Sequence, residues 1–213
     1  AHYTPANAVL VVAGDVTPEQ VKVLAEKYYG VLKNSFTPQP RVRTPEPDPI
    51  AARRVTLIDA RAASPAVQRS YLAPSYSAST GHEALALDLL ADILGSGTQS
   101  RLYKSLVIDQ KIAAYAAAWY SGDQMDSGTF GVYGAPNPGV DVAKVEAAMD
   151  AVLADLLKNG VTQQELDRVR NQAIAERVYT LDNQAALARM AGVALTTGLS
   201  ARSIFDRDVE IGK

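Results

Sequence analysis

The first part of the chain contains one apolar run followed by one amphipathic segment. Residues 7–14, Asn-Ala-Val-Leu-Val-Val-Ala-Gly, are rich in β-branched residues and lie between turn formers, a pattern typical of a strand covered on both faces. Residues 17–20, Thr-Pro-Glu-Gln, combine an N-cap, a proline at the first helical position and a glutamine at N3. Apolar residues at helical spacing then continue to Gly30. The pattern predicts a central strand and then a surface helix of about three turns.

Prolines interrupt this pattern. Five of the eleven prolines lie between Pro38 and Pro49, a density that prevents regular structure and keeps the backbone extended. Residues 37–52 are therefore predicted to form a proline-rich strap. Two later segments, residues 54–59 and 66–72, have the composition of strands. We expect these two strands to pair with each other in antiparallel orientation.

The middle of the chain predicts two helices and a hairpin. Residues 80–83, Thr-Gly-His-Glu, have the pattern of a capping box, and an apolar stripe continues from there to Gly95. A shorter helix is predicted from residue 99 to about residue 108. Residues 113–120 and 129–133, separated by glycine-containing turns, predict an antiparallel hairpin.

The last part of the chain is helical in pattern. A long helix is predicted from Asp141 to Asn159, and a second capping box at residues 162–165 begins the next helix. An alanine-rich stretch then extends to Ala194, with interruptions expected near Gly192 and Gly198. Strands and helices do not alternate as they do in a doubly wound sheet. The element order therefore predicts an α+β fold with two layers, an antiparallel-dominated sheet with helices packed on one face.

Composition and charge exclude some classes of function. The chain has 213 residues, 47% of them hydrophobic, no cysteine, and a net charge of −2 from 21 basic and 23 acidic residues. This length accommodates one large domain or two small ones with a core that needs no disulfide. The basic residues are scattered, so the positive field that nucleic acids require is missing. The apolar runs are far shorter than the ~20 residues of a membrane span. We therefore predict no nucleic acid partner and no membrane partner.

Complete catalytic motifs are missing from the sequence. Histidine occurs only as His2 and His82, neither at ligand spacing, and both are interpreted as structural. There is no nucleophile elbow, no phosphate-loop lysine and no thiol. Residues 95–97, Gly-Ser-Gly, are interpreted as a tight turn between helices rather than a phosphate site. No spacing among the aspartates selects a catalytic pair. We therefore expect no complete active site in this chain.

Three longer stretches carry a family resemblance. They are HYTPANAVLVVAGDVTPEQVKVLAEKYYG at residues 2–30, LLADILGSGTQSRLYKSLVIDQKIAAYAAAW at residues 89–119, and NGVTQQELDRVRNQAIAERVY at residues 159–179. Together, in this order, they resemble the pitrilysin/insulinase superfamily of zinc metallopeptidases, and specifically the domain that follows the zinc-binding domain in each half of those proteins. The resemblance covers about residues 1–205.

The resemblance implies a fold and a context. The fold is the two-layer α+β fold of the mitochondrial processing peptidase type, in a peptidase whose two halves enclose a chamber. The family binds zinc through an inverted His-x-x-Glu-His motif and a distant Glu in the preceding domain, and those residues do not occur here. We therefore interpret residues 1–213 as a single non-zinc-binding domain, a fragment of a longer chain, with no cofactor of its own and zinc in the parent protein. The abrupt ends of the sequence fit this interpretation.

Two residues are candidates for substrate binding, Tyr115 and Arg101. Some relatives carry an Arg and a Tyr seven residues apart that bind substrate from the half opposite the zinc. Tyr115 ends the matching segment here, but Ile108 stands at the Arg position, and Arg101 lies too far back to replace it. Each candidate also has a structural interpretation: Tyr115 packs on the sheet, and Arg101 donates hydrogen bonds to nearby carbonyl groups.

The leading hypothesis is a chamber-wall domain that also forms the half-to-half interface of a zinc metallopeptidase acting on peptides. Its expected partners are the zinc-binding domain of the parent, the other half of the peptidase and the peptide substrate. The fragment alone is predicted to be inactive. The alternatives are a domain of a structural or substrate-holding subunit that lacks the metal site, and a stand-alone module that binds a peptide at a sheet edge. A periplasmic parent is expected because many bacterial relatives are exported and cysteine is absent.

Overall fold

The computed structural model describes residues 3–39, 42–44, 47, 49–62 and 64–211. The chain divides into two compact units, Pro47–Ala173 and a second unit made of Ala1–Glu46 with Ile174–Lys213. The single domain over residues 1–213 stays a prediction. Of the predicted proline-rich strap, residues 40, 41, 45, 46 and 48 lie outside the described residues, and the rest contains neither helix nor strand.

The unit at residues 47–173 is built on a three-stranded antiparallel sheet. The strands are β1 (Val67–Ala73), β2 (Ala113–Ser121) and β3 (Gly128–Pro136), in the spatial order β1-β3-β2. β2 and β3 form the predicted hairpin, so that prediction is confirmed. β1 pairs with β3. The prediction that β1 pairs with residues 54–59 was therefore wrong.

Helices cover one face of this sheet. The first part of α4 (Gln163–Leu181) belongs to the same unit, and the helices that pack on the sheet are α2 (Glu83–Gly95), a π-helix (Tyr103–Asp109) and α3 (Val142–Asn159). Side chains from these helices and from β3 form one core, in which the fully buried residues include Leu94, Leu102, Leu106, Val132, Val145 and Met149. α3 approaches β3 closely at Gly134, where an added Cβ would lie 2.7 Å from Val145 Cγ1. The α+β prediction is confirmed.

Local capping explains where several helices begin. The Asp141 carboxylate accepts a hydrogen bond from Ala143 N at 3.0 Å, and Thr162 Oγ1 accepts one from Glu165 N at 3.2 Å. Both helix starts were predicted from these residues. The capping box predicted at residues 80–83 was wrong, because α2 begins only at Glu83 and its N-cap is His82. Gly81 disfavours helical backbone in what would have been the first turn.

The helix predicted at residues 99–108 is present in a different form. Arg101 and Leu102 are α-helical, and the following residues, Tyr103–Asp109, form a π-helix. At its end, Gln110 N donates to Ser105 O at 3.0 Å and Ile112 N donates to Leu106 O at 3.0 Å. Hydrophobic periodicity cannot distinguish this wider turn from an α-helix over so few residues.

The other unit contains α1 (Pro18–Tyr28), α5 (Gln184–Thr196), α6 (Ser203–Ile211) and the end of α4. α1 has the predicted capping box, in which Thr17 N donates to Gln20 Oε1 at 2.9 Å. Arg177 on α4 donates to Ile204 O at 2.9 Å. The predicted interruption at Gly192 was wrong, because Gly192 lies inside α5. The interruption near Gly198 is confirmed, since Gly198 follows α5 with φ +88°.

Two predicted strands are not strands in the structure. Residues 8–13 and 54–59 have no regular secondary structure. Their apolar side chains are exposed to solvent, at 52% for Leu10 and 85% for Leu57. A strand requires a hydrogen-bonded neighbour, and within the described chain only β1, β2 and β3 form a sheet. An apolar run indicates that a segment tends to be buried, but it does not specify which element covers it.

None of the described helices combines the length and the apolar composition that crossing a bilayer requires.

Candidate functional site

A candidate site is the cleft beside the edge strand β2, which we call the β2 cleft. Its volume is about 760 Å³. It is lined by α2, by the turn after α2 and by one end of the sheet, through residues Asp88, Ala91, Asp92, Gly95, Ser96, Gly97, Tyr115, Ala117, Ala118, Trp119, Tyr120 and Tyr133. Four of these residues are aromatic, and two carboxylates are the only charged groups in the lining. Aromatic rings offer large amphipathic surfaces for binding.

Several side chains of the cleft lie on the face of the sheet that the helices do not cover. Successive side chains of a strand point to opposite faces, and the helix-covered face of the hairpin carries Ala116, Phe130 and Val132. Tyr115, Trp119 and Tyr133 therefore point to the other face. The backbone of Gly131 lies against the Trp119 indole, since an added Cβ would lie 2.1 Å from its Cζ2 atom.

The structure places Tyr115 in the β2 cleft. Its side chain is 52% exposed, and its ring lies 6.0 Å from the ring of Tyr133, at an interplanar angle of 55°. A half-exposed ring that packs on a neighbouring ring can contact a ligand and the sheet at once. Both interpretations made from the sequence are therefore compatible with this geometry, and substrate binding by Tyr115 stays a prediction.

Hydrogen bonds position the rim of the β2 cleft. The Tyr76 hydroxyl donates to Asp88 Oδ2 on α2, and the Tyr120 hydroxyl donates to the carbonyl oxygen of Pro74. The rings of Tyr76 and Tyr120 lie 6.2 Å apart. These contacts connect α2 and β2 with the segment that follows β1, so the two walls of the cleft are linked at one end.

Arg101 connects three elements of the same unit. Its guanidinium donates to Glu165 Oε1 at 2.6 Å and to Glu165 Oε2 at 2.7 Å. It also donates to the carbonyl oxygen of Gly160 at 2.8 Å and lies 3.4 Å from Asp155 Oδ2. The side chain is only 15% exposed. Arg101 thus joins the start of its own helix to the end of α3 and the start of α4. Substrate contact by Arg101 stays a prediction.

The charge on Glu165 depends on Arg101. The hydrogen-bonded guanidinium lowers the pKa of Glu165 to about 2, against the opposing effect of partial burial. The backbone N–H of Thr162 donates to Glu165 Oε2 at 2.8 Å and lowers this pKa further. In turn, Glu165 raises the pKa of Arg101. This pair is therefore ionised across the physiological pH range.

A match to a protein-family model identifies the family of this chain. The model of the peptidase M16 inactive domain matches residues 1–173, which is most of the chain. The chain belongs to the peptidase M16 inactive-domain family. This confirms the resemblance to pitrilysin-type and insulinase-type zinc peptidases that the three sequence stretches indicated.

Individual M16 relatives agree with the assignment. The zinc protease PqqE of Helicobacter pylori is 28% identical over 190 residues, which cover 88% of this chain and 41% of that protein. A solved protease structure from Helicobacter pylori superposes with a TM-score of 0.85 at 24% identity, covering 94% of this chain and 47% of that one. A peptidase M16 inactive domain from Pseudomonas fluorescens superposes with a TM-score of 0.75 at 18% identity, covering 93% and 45%. The chain therefore spans less than half the length of these relatives.

The described residues of this M16 inactive domain do not fit a zinc ion. Among the described residues, no group of three or more His, Asp or Glu side chains could hold a metal. His82 is the N-cap of α2, and the other histidine, His2, lies outside the described residues. We derive no catalytic step through zinc in this chain.

Zinc analysis tests that conclusion directly. We expect the isolated chain to retain no stoichiometric zinc after dialysis against metal-free buffer, because three convergent ligands are needed for tight binding. Elemental analysis measures the metal content. One retained zinc ion per chain would contradict both the ligand assessment and the interpretation of the domain as non-catalytic.

Sequence reasoning found Tyr115 and missed most of the β2 cleft. Asp88 was considered only as one of several aspartates whose spacing selects no catalytic pair. Trp119 and Tyr133 were not singled out, because aromatic residues in strands are more often core residues than ligand contacts. Their shared position depends on the register of β2 with β3, in which Tyr133 lies opposite Ala117 and Gly131 opposite Trp119. The signal available in the sequence was the alternation of Tyr115, Ala117 and Trp119 along one face of the hairpin.

Proposed function

We propose that this domain forms part of the wall of a peptidase chamber and the interface with the other half, and that the β2 cleft holds an extended peptide for a zinc-bearing domain to cleave. The zinc belongs to the parent protein and is bound outside this chain. Family membership supports the peptidase context. The observation that carries the peptide-holding role is the β2 cleft itself, which lies beside the terminal strand of the sheet.

The chemistry of the cleft suits an extended peptide. A terminal strand has one edge free of strand neighbours, and extended peptides bind such edges through main-chain hydrogen bonds while their side chains occupy adjoining pockets. Tyr115, Trp119 and Tyr133 offer those side chains flat apolar surfaces. Asp88 and Asp92 make the lining acidic, so a peptide with basic side chains would be favoured.

The alternative in which this domain is part of a substrate-holding subunit without a metal site uses the same cleft. It differs only in what the rest of the parent contributes. An inverted His-x-x-Glu-His motif with a later Glu in the parent polypeptide supports the active peptidase, and its absence supports the holding subunit. A periplasmic parent is also part of our proposal, and the absence of cysteine is compatible with that oxidising compartment.

Peptide binding by Tyr115→Ala tests the role of the cleft. We expect this variant of the chain to bind an extended Lys-containing peptide, blocked at both ends, about tenfold more weakly, because a ring contact is removed. Tyr179→Ala is the matched control, since Tyr179 is 77% exposed and is not part of the cleft lining. Fluorescence anisotropy of the labelled peptide gives both affinities. Equal binding by the two variants would contradict the proposal.

Hydrolysis by the full-length parent tests the peptidase context. We expect Tyr115→Ala in the parent to reduce kcat/KM for the same peptide, while Tyr179→Ala leaves it unchanged. A parent that binds the peptide but never cleaves it would identify the substrate-holding subunit instead. A parent whose hydrolysis is insensitive to Tyr115→Ala would exclude the β2 cleft from the substrate path.

A further inference from the structure

A second, smaller cleft contains an unusual arginine. This Arg168 cleft has a volume of about 320 Å³ and is lined by Ser96, Gly97, Thr98, Gln99, Arg168 and Gln172. Arg168 Nη2 is buried and has no hydrogen-bond partner. Among the described residues, no other buried side-chain nitrogen or oxygen lacks a hydrogen-bond partner.

A buried guanidinium nitrogen without an acceptor is unfavourable. Arginine stays charged at every accessible pH, and an unsatisfied buried donor destabilises the folded state more than a typical hydrogen bond stabilises it. Such groups are rare in folded proteins and require an explanation. A ligand that brings an acceptor and a negative charge would remove the penalty.

The two carboxylates nearest to Arg168 along α4 accept hydrogen bonds from other residues. Both oxygens of Glu165 accept from Arg101, and Asp167 Oδ1 accepts from Gln163 at 2.7 Å. The rest of the Arg168 cleft is lined by neutral residues, namely two hydroxyl side chains, two amides and Gly97. The local charge of the cleft is therefore positive, although the chain as a whole carries −2.

We propose that Arg168 binds a carboxylate of the peptide that occupies the β2 cleft. The two clefts adjoin, since Ser96 and Gly97 line both of them. A planar guanidinium matches a carboxylate in geometry and can bind both of its oxygens. The carboxylate is either the peptide C-terminus or an Asp or Glu side chain. The identity of the ligand as a peptide rests on the proposed function, whereas the affinity of Arg168 for a carboxylate does not.

The first experiment measures the site without any peptide. The side-chain Nε–H resonance of Arg168 in the ¹⁵N-labelled chain is assigned by its loss in Arg168→Gln. We expect acetate to shift this resonance saturably and acetamide, its neutral analogue of the same shape, to leave it unchanged. A resonance that does not respond to acetate, or responds equally to acetamide, overturns the carboxylate site whatever happens with peptides.

The second experiment separates the two sources of the carboxylate. Three peptides of one sequence are compared: one with both ends blocked, one with a free C-terminus, and one blocked at both ends with an internal Glu. We expect one of the two carboxylate peptides to bind about tenfold more tightly than the fully blocked peptide, the gain typical of a charge-assisted hydrogen bond. In Arg168→Gln that advantage should disappear, while the affinity of the fully blocked peptide stays the same.

Arg170→Gln is the matched control for charge. It removes the same charge from the same helix, but residues two apart do not share a helix face, so the carboxylate advantage should persist. Urea unfolding should show Arg168→Gln to be at least as stable as the unsubstituted chain, because a buried donor without an acceptor is removed.

If no peptide binds but acetate shifts the Arg168 resonance, the proposed function fails and the carboxylate site stands. If all three peptides bind the unsubstituted chain with equal affinity, a peptide carboxylate is excluded as the ligand of Arg168.

Discussion

Gly95→Ala is expected to destabilise the unit at residues 47–173 by about 3 kcal/mol, at the upper end of the range for overpacking. Gly95 is the last residue of α2 and lies directly against β2. An added Cβ would lie 1.6 Å from Ala118 N and 2.5 Å from the Ala117 carbonyl carbon. Both are backbone atoms of a paired strand, so they cannot move aside as the end of a flexible side chain can. Either α2 separates from β2 or the hairpin is distorted.

The same substitution should impair the β2 cleft, since Gly95 and Ala118 both line it. Urea unfolding followed by circular dichroism measures the loss of stability, and peptide anisotropy measures the loss of binding. Gly81→Ala is the matched control. Gly81 precedes α2, and no atom lies within 4 Å of a Cβ added there. Gly81 also lacks the positive φ that would strain an alanine. The unfolding free energy of Gly81→Ala should therefore differ from that of the unsubstituted chain by less than about 1 kcal/mol. Equal effects of the two substitutions would mean that α2 does not pack on β2 as described.

Sequence patterns predicted the features that depend on neighbours in the chain. The caps at Thr17, Asp141 and Thr162 involve contacts over three residues or fewer, and the helices that they begin were found. The β2–β3 hairpin was found for the same reason, because a short turn connects its strands. Residues 8–13 and 54–59 required a choice among distant partners, and composition alone does not contain that choice.

The candidate site was less predictable than the fold. Tyr115 was found through the resemblance to known peptidases, and Trp119 was overlooked because nothing in a sequence of strand residues shows which face is covered by helices. Arg168 could not be found at all. Its significance lies in the acceptor that it lacks, and its nearest acidic neighbours along the helix, Glu165 and Asp167, suggest a paired arginine until the structure shows that they bind other groups.

Arg101→Ala is expected to destabilise the unit at residues 47–173 by about 2 kcal/mol at neutral pH. The substitution removes two hydrogen bonds to Glu165 and one to the Gly160 carbonyl. It also leaves a carboxylate whose side chain is only 23% exposed without its cation. Lys104→Ala is the control, because the ion pair of Lys104 with Asp109 is 62% and 51% exposed and should contribute less than about 1 kcal/mol.

The pH dependence distinguishes loss of this ion pair from a simple packing defect. The folded state lowers the pKa of Glu165 from 4.5 to about 2, so the stabilisation is fully present above pH 4.5 and is lost as the pH falls toward 2. The difference in unfolding free energy between the unsubstituted chain and Arg101→Ala should therefore be constant from neutral pH down to about 5 and should shrink below that value. Urea unfolding across this pH range measures it. A difference that stays constant down to the lowest pH at which the chain folds would mean that Arg101 acts through its packing and its bond to Gly160, and that the charge of Glu165 contributes little.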